Sequence, residues 1–168
     1  MRNKKWITLA VVLSLIIMVA LYVGYPKNSK ELDYFHDEFG LQLPKDTKVL
    51  FSQKSYGAMG DGYRLYVYQI PAESMKDSIG KEALTNWFEL PLPSDYVATL
   101  SQKIGGITDE ETASLVPLAA NKGYYTIRNN QTNALITGTD VFDFSYNNVL
   151  IGILSAEDHK VYLLSYDM

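Results

Sequence analysis

The chain has 168 residues, with 15 basic and 19 acidic side chains, 13 tyrosines and no cysteine. That length holds one ordinary domain with a core large enough to do without covalent staples, and the lack of cysteine excludes a disulfide framework, a thiol nucleophile and a lipid anchor on cysteine. Three of the basic residues precede Trp6, so the rest carries 12 basic against 19 acidic residues, a net −7; this argues against nucleic acid as a partner, which needs a basic face, and against a polybasic grip on anionic lipid.

Residues 6–25, WITLAVVLSLIIMVALYVGY, carry no charge and match the roughly 20 residues an α-helix needs to cross a bilayer. Arg2, Lys4 and Lys5 stand before the run. The stretch is longer than the roughly 7–15 apolar residues of a cleaved signal peptide. Its exit also lacks a small-x-small pair, since Tyr22 stands two places before Gly24 and Met18 two places before Ala20. These features predict an uncleaved signal anchor, with a cleaved export signal as the alternative. The expected organisation is a basic cytoplasmic stub at 1–5, a single transmembrane anchor at 6–25, a spacer at 26–30 and an extracytoplasmic domain at 31–168. The basic residues keep the N-terminus in the cytoplasm.

Beyond the spacer, Ser29 reads as the cap of a short helix that places Leu32, Phe35 and Phe39 on one face and ends at Gly40. A strand follows near Lys48–Gln53. Ser55 to Gly62 holds three glycines and reads as a loop with unusual backbone angles. Tyr63–Ile70 is the clearest strand; neither of its alternating faces is strongly polar, which predicts an interior strand covered on both sides, and Pro71 ends it. Residues 72–88 are undecided, with a helix over Ala72–Ile79 and a turn through Ala83–Phe88 as one reading. Glu89–Ser94 is a proline-bounded connector. Ser94 then caps a helix that Gly105 and Gly106 stop. Thr108 and Glu111 have capping-box spacing, and a short helix runs from there towards Val116. The last third reads as a meander of strands: Gly123–Arg128, then Phe142–Tyr146 and Val149–Ser155 as either a hairpin across Asn147 and Asn148 or one long bulged strand, then Val161–Tyr166, with a polar loop at Asn129–Asn133 and a turn at Ala156–Lys160. Helices followed by adjacent strands define the class as α+β with a mainly antiparallel sheet.

Two stretches carry a resemblance. Gly57-x-x-Gly60-Asp61-Gly62 leads into a strand, and Phe144-x-Tyr146-Asn147 is followed by a strand, an acidic turn and Val161-Tyr162-Leu163-Leu164-Ser165-Tyr166-Asp167. Together they resemble small exported or membrane-anchored proteins of Gram-positive bacteria that have no assigned function, over about Phe35 to Asp167. The resemblance implies a cell-envelope compartment and no reaction. In those relatives the glycine loop often carries a histidine, where this chain has Met59.

The catalytic inventory is short. There is no Gly-x-Ser-x-Gly elbow, no His-Glu-x-x-His and no phosphate-loop lysine motif. Of the two histidines, His36 stands beside Asp33, Asp37 and Glu38 on the first helix, as expected of a solvated face, and His159 falls in a hairpin turn beside Glu157 and Asp158. Asp109, Glu110 and Glu111 suit a helix N-terminus and lack the oxygen spacing of a calcium loop. No catalytic residue, metal ligand or cofactor is assigned. The candidate ligand-binding residues are Asp61 between Gly60 and Gly62, flanked by Tyr56 and Tyr63: an acid with little crowding around it, beside two aromatic rings. The competing reading of Asp61 is an Asp-Gly hairpin turn. The expected function is a single-pass, membrane-anchored extracytoplasmic domain that binds an envelope protein or peptide. The alternatives are a membrane-tethered envelope hydrolase using Asp61 with His36 or His159, and a purely structural domain within a larger membrane complex.

Overall fold

The computed structural model describes residue 14 and residues 29–57, 61–74, 84–138, 140 and 148–167. Apart from Ser14, the expected anchor at 6–25 lies outside the described residues, as do the expected strand Phe142–Tyr146 and residues 75–83 of the undecided stretch. No described helix is long and apolar enough to cross a membrane. The chain divides into two compact units, Met1–Lys30 and Glu31–Met168, and the second carries the sheet.

Its frame is a six-stranded, wholly antiparallel sheet in the order β1-β2-β6-β5-β4-β3. The strands are β1 (Lys48–Tyr56), β2 (Gly62–Gln69), β3 (Phe88–Glu89), β4 (Gly123–Asn129), β5 (Val149–Ser155) and β6 (Lys160–Asp167). With α1 (Ser29–Phe39), α2 (Ser94–Ile107) and α3 (Glu110–Ser114), the fold is α+β as the sequence predicts. Side chains alternate across a strand, and here both sides of the sheet are covered. On one side Tyr66, Tyr68, Leu150, Leu154 and Leu163 pack with Phe35 and Phe39 of α1 and with Trp87. On the other, Leu65, Ile151, Ile153 and Leu164 pack with Leu100 and Ile104 of α2. The near-continuous apolar runs of β5 and β6 follow from this double burial; all seven residues of β5 are buried.

The α1 side closes tightly because β5 carries Gly152. A Cβ there would come within 2.6 Å of the Trp87 ring and 2.8 Å of the Phe39 ring. Gly40 ends α1 with φ +68°, and its N–H reaches the His36 carbonyl at 2.7 Å, the left-handed stop that glycine suits. Arg128 of β4 is buried on this same side. Its Nε donates to Thr126 Oγ1 at 3.2 Å, it donates to Asn133 Oδ1 at 3.1 Å, and its guanidinium carbon lies 5.4 Å from the centre of the Phe39 ring.

Several boundaries differ from the sequence reading. β1 runs three residues past Gln53, so Ser55 and Tyr56 belong to a hairpin rather than to a long loop. α2 continues through Gly105 and Gly106 to Ile107, and its N-cap is Pro93, without a side-chain cap bond. Buried Ile104 anchors the last turn, and both Thr108 N–H and Thr108 Oγ1 reach the Ile104 carbonyl. The α3 cap is Asp109 rather than Thr108: its carboxylate accepts from the Thr112 N–H at 2.7 Å. That bond holds the Asp109 carboxyl below its ordinary range. The two-residue strand β3, within the expected turn and connector, extends the sheet beside β4.

Candidate functional site

The hairpin that joins β1 to β2 is closed by the Gly57 N–H donating to the Asp61 carbonyl at 2.6 Å. Tyr56 and Gly62 face each other across it. Gly62 is dictated by the pairing, since a Cβ there would stand 1.9 Å from the Ser55 carbonyl oxygen. Asp61 is exposed. Tyr56, 41% exposed, ends β1 on the α1 side of the sheet. Gly60 lies outside the described residues. Tyr63, one place on from Gly62, points to the opposite side and is buried among the α2-side core. Its hydroxyl accepts from Gln53 Nε2 at 2.9 Å, and Gln53 Oε1 accepts from Thr112 Oγ1 at 2.8 Å. Tyr63 therefore ties α3 to the β1–β2 hairpin and leaves the surface group. The structure brings Tyr56, Asp61 and Gly62 together and separates Tyr63 from them.

Arg64 is the residue that completes the surface. It follows Tyr63 by one place, so alternation returns it to the α1 side. Its Nε donates to the Tyr56 hydroxyl. The guanidinium carbon lies 4.8 Å from the centre of the Tyr34 ring and 5.1 Å from that of Tyr56, within the range of cation–π attraction. Tyr34 comes from α1, and its ring packs 5.7 Å from that of Tyr66. Beside Tyr66 on the β1 side, Lys54 Nζ lies 5.6 Å from the ring centre. The result is a ladder of two cations and three tyrosine rings, Lys54, Tyr66, Tyr34, Arg64 and Tyr56, across β1, β2 and α1.

The β6 end borders the ladder. Arg64 is paired with Ser165, and Gly62 with Asp167. Asn130, just past β4, reaches over with its amide nitrogen to Ser165 Oγ at 3.1 Å and Asp167 Oδ1 at 3.0 Å. Burial, with the Glu38 carboxylate second, pushes the Tyr34 phenol up to about 12. Burial also raises Tyr56, against the opposing pull of Arg64. Both phenols are therefore neutral donors at physiological pH. The arrangement offers flat aromatic surface, a fixed guanidinium and a bordering amide and carboxylate.

His159 does not join this site. The Asp61 end of β2 pairs with Asp167, whereas its other end, Gln69, pairs with Lys160, and Gln69 Nε2 donates to the His159 carbonyl at 2.9 Å. Asp61 and His159 thus lie at opposite ends of an eight-residue strand, whose first and last residues stand about 23 Å apart at the usual rise. His36 is exposed on α1. Among the described residues no three of His, Asp and Glu gather closely enough to hold a metal ion. Sequence reasoning missed Arg64, Tyr34 and Asn130. Only the opposite facing of Tyr63 and Arg64 was readable in advance, from the strand period.

Compared with known proteins, the chain matches no family model, no curated protein and no solved structure.

Proposed function

We propose that this chain is an extracytoplasmic binding module held at a membrane by residues 6–25, and that the hairpin end of its sheet is the contact surface for an envelope protein or peptide. The observation that carries the reading is Arg64 held between the rings of Tyr34 and Tyr56 beside exposed Asp61. Tyrosine and arginine dominate the energetically important residues of protein interfaces, and an arginine already fixed by two rings loses little conformational freedom on binding. The charge-free run with its basic prelude, and the resemblance to anchored envelope proteins of Gram-positive bacteria, support the membrane assignment. The distance from Asp61 to His159 weighs against a hydrolase built on that pair.

The test is crosslinking and co-purification of the full-length protein from its native membrane. Arg64→Ala and Asp61→Asn should each weaken partner recovery by about tenfold or more, while Asp95→Asn, on α2 across the sheet, leaves recovery unchanged. Equal recovery with all three variants would move the contact surface elsewhere. Because the chain has no cysteine, Asp46→Cys gives a single reporter of topology. Labelling of that thiol in intact cells by a membrane-impermeant maleimide is the expected result, and labelling only after lysis would reverse the orientation.

A further inference from the structure

Among the described residues, β1 is the outermost strand of the sheet and pairs on one side only, with β2. An edge of this kind presents a row of unpaired N–H and C=O groups, a ready template for another strand. Proteins usually keep such edges short, whereas β1 has nine residues, against a usual strand length of about 5–6. Along it, Leu50 is 53% exposed at the register shift between Val49 and Phe51. The opposite edge, β3, has only two residues.

Charge selects the occupant. β1 contains Lys48 and Lys54 and no acidic residue, in a chain that is net −7 beyond residue 5. Lys54 is paired with Arg64, and Lys48 with Gln69. Paired residues share a face, so Lys54 lies on the α1 side and Lys48 on the other. An added strand would therefore meet one cation on each of its faces, with an apolar contact at Leu50 between them. A second copy fits poorly, because two β1 strands together bring four lysines and no carboxylate.

We propose that β1 is a docking edge that takes an extended, acidic segment of a partner protein as a seventh strand. This rests on the binding-module reading and names the chemistry of its partner. Main-chain hydrogen bonds would supply affinity, and carboxylates set to alternate faces would supply selectivity for the two lysines.

The probe is a displayed library of random nonapeptides, selected on the full-length protein in nanodiscs. Acidic, β-branched peptides should be enriched. The best of them, synthesised, should slow amide hydrogen exchange across residues 48–56. Its affinity should fall on the order of tenfold when Lys48→Glu and Lys54→Glu are combined, since cross-strand attraction becomes repulsion at two positions. Both lysines are exposed, and an unchanged circular dichroism spectrum of the double variant separates lost binding from lost fold. No enrichment, enriched peptides without acids, indifference to the charge reversal, or protection away from β1 would each overturn the proposal. Protection of β1 that grows with protein concentration in the absence of peptide would make a second copy the occupant and overturn it as well. Should the edge fail while partner recovery still depends on Arg64, the binding module stands without this edge. Failure of both removes the module.

Discussion

At the scale of single residues, the hairpin end depends on what Gly62 lacks. A Cβ at this position would stand 1.9 Å from the Ser55 carbonyl oxygen and 2.7 Å from the Tyr56 Cα, both backbone atoms. Neither can swing aside as a side chain would. Gly62→Ala must part β1 from β2 at the point where Tyr56 meets Arg64, with a loss of about 2 kcal/mol or more, the scale of overpacking. Denaturant unfolding of the variant measures it, and a loss below about 0.5 kcal/mol would mean that the hairpin yields freely. The sequence exposed the glycine cluster and the acid within it. It did not expose the surface formed there, because Arg64 draws its partners from α1, β1 and the end of β6. Those contacts exist only after the sheet has assembled, and no local pattern records them. The strand period separates Tyr63 from Arg64, but the face of Tyr56 follows only from its pairing with Gly62 across the hairpin.

At the scale of elements, strand interiors were legible, as was the glycine stop of α1 at Gly40, whereas the end of α2 and the cap of α3 were not. β5 follows its apolar run residue for residue, and β2 is displaced by one residue from the expected span. Period-two patterns backed by burial on both sides leave little freedom. Helix termini are set by tertiary contact as much as by propensity. Gly105 and Gly106 read as a stop, yet Ile104 is buried and partly buried Ile107 packs on the same core, which holds α2 together beyond them. Their side-chain positions are open, with nothing within 4 Å of an added Cβ at either. Helical glycine is worse than alanine by roughly 0.5–1 kcal/mol per site. Gly105→Ala combined with Gly106→Ala should therefore stabilise the protein by about 1–2 kcal/mol, the opposite sign to the hairpin glycine. A lower midpoint in thermal unfolding would show that these glycines serve a bend or a contact instead.

At the scale of the whole molecule, the fold is a sheet covered on both sides and unusually rich in buried phenols. Burial pushes Tyr68, Tyr162 and Tyr166 well above their ordinary value of 10, with the Asp158 carboxylate adding to the effect at Tyr162, and it takes Tyr34 up to about 12. In each case the folded state holds its proton more tightly than the unfolded chain. Below pH 10 all four are protonated in both states and stability is at its full value. As pH rises past 10 the unfolded chain releases these protons first, so stability falls continuously up to the folded values. Four groups with the same sign make the decline steep, and loss of the near-ultraviolet dichroism should coincide with a cooperative burst of tyrosinate absorbance above pH 10. Tyr166 sharpens the test. Its hydroxyl is buried with no hydrogen-bond partner among the described residues, whereas that of Tyr68 donates to the Glu31 carbonyl at 2.9 Å. Removing an unsatisfied hydroxyl relieves its desolvation penalty, while removing a bonded one strands its acceptor. Tyr166→Phe should then raise neutral-pH stability by about 1 kcal/mol and move alkaline unfolding to higher pH. Tyr68→Phe should lower neutral-pH stability by about the same amount. Titration of all 13 tyrosines together near pH 10, with tertiary structure intact, would contradict the burial on which both expectations rest.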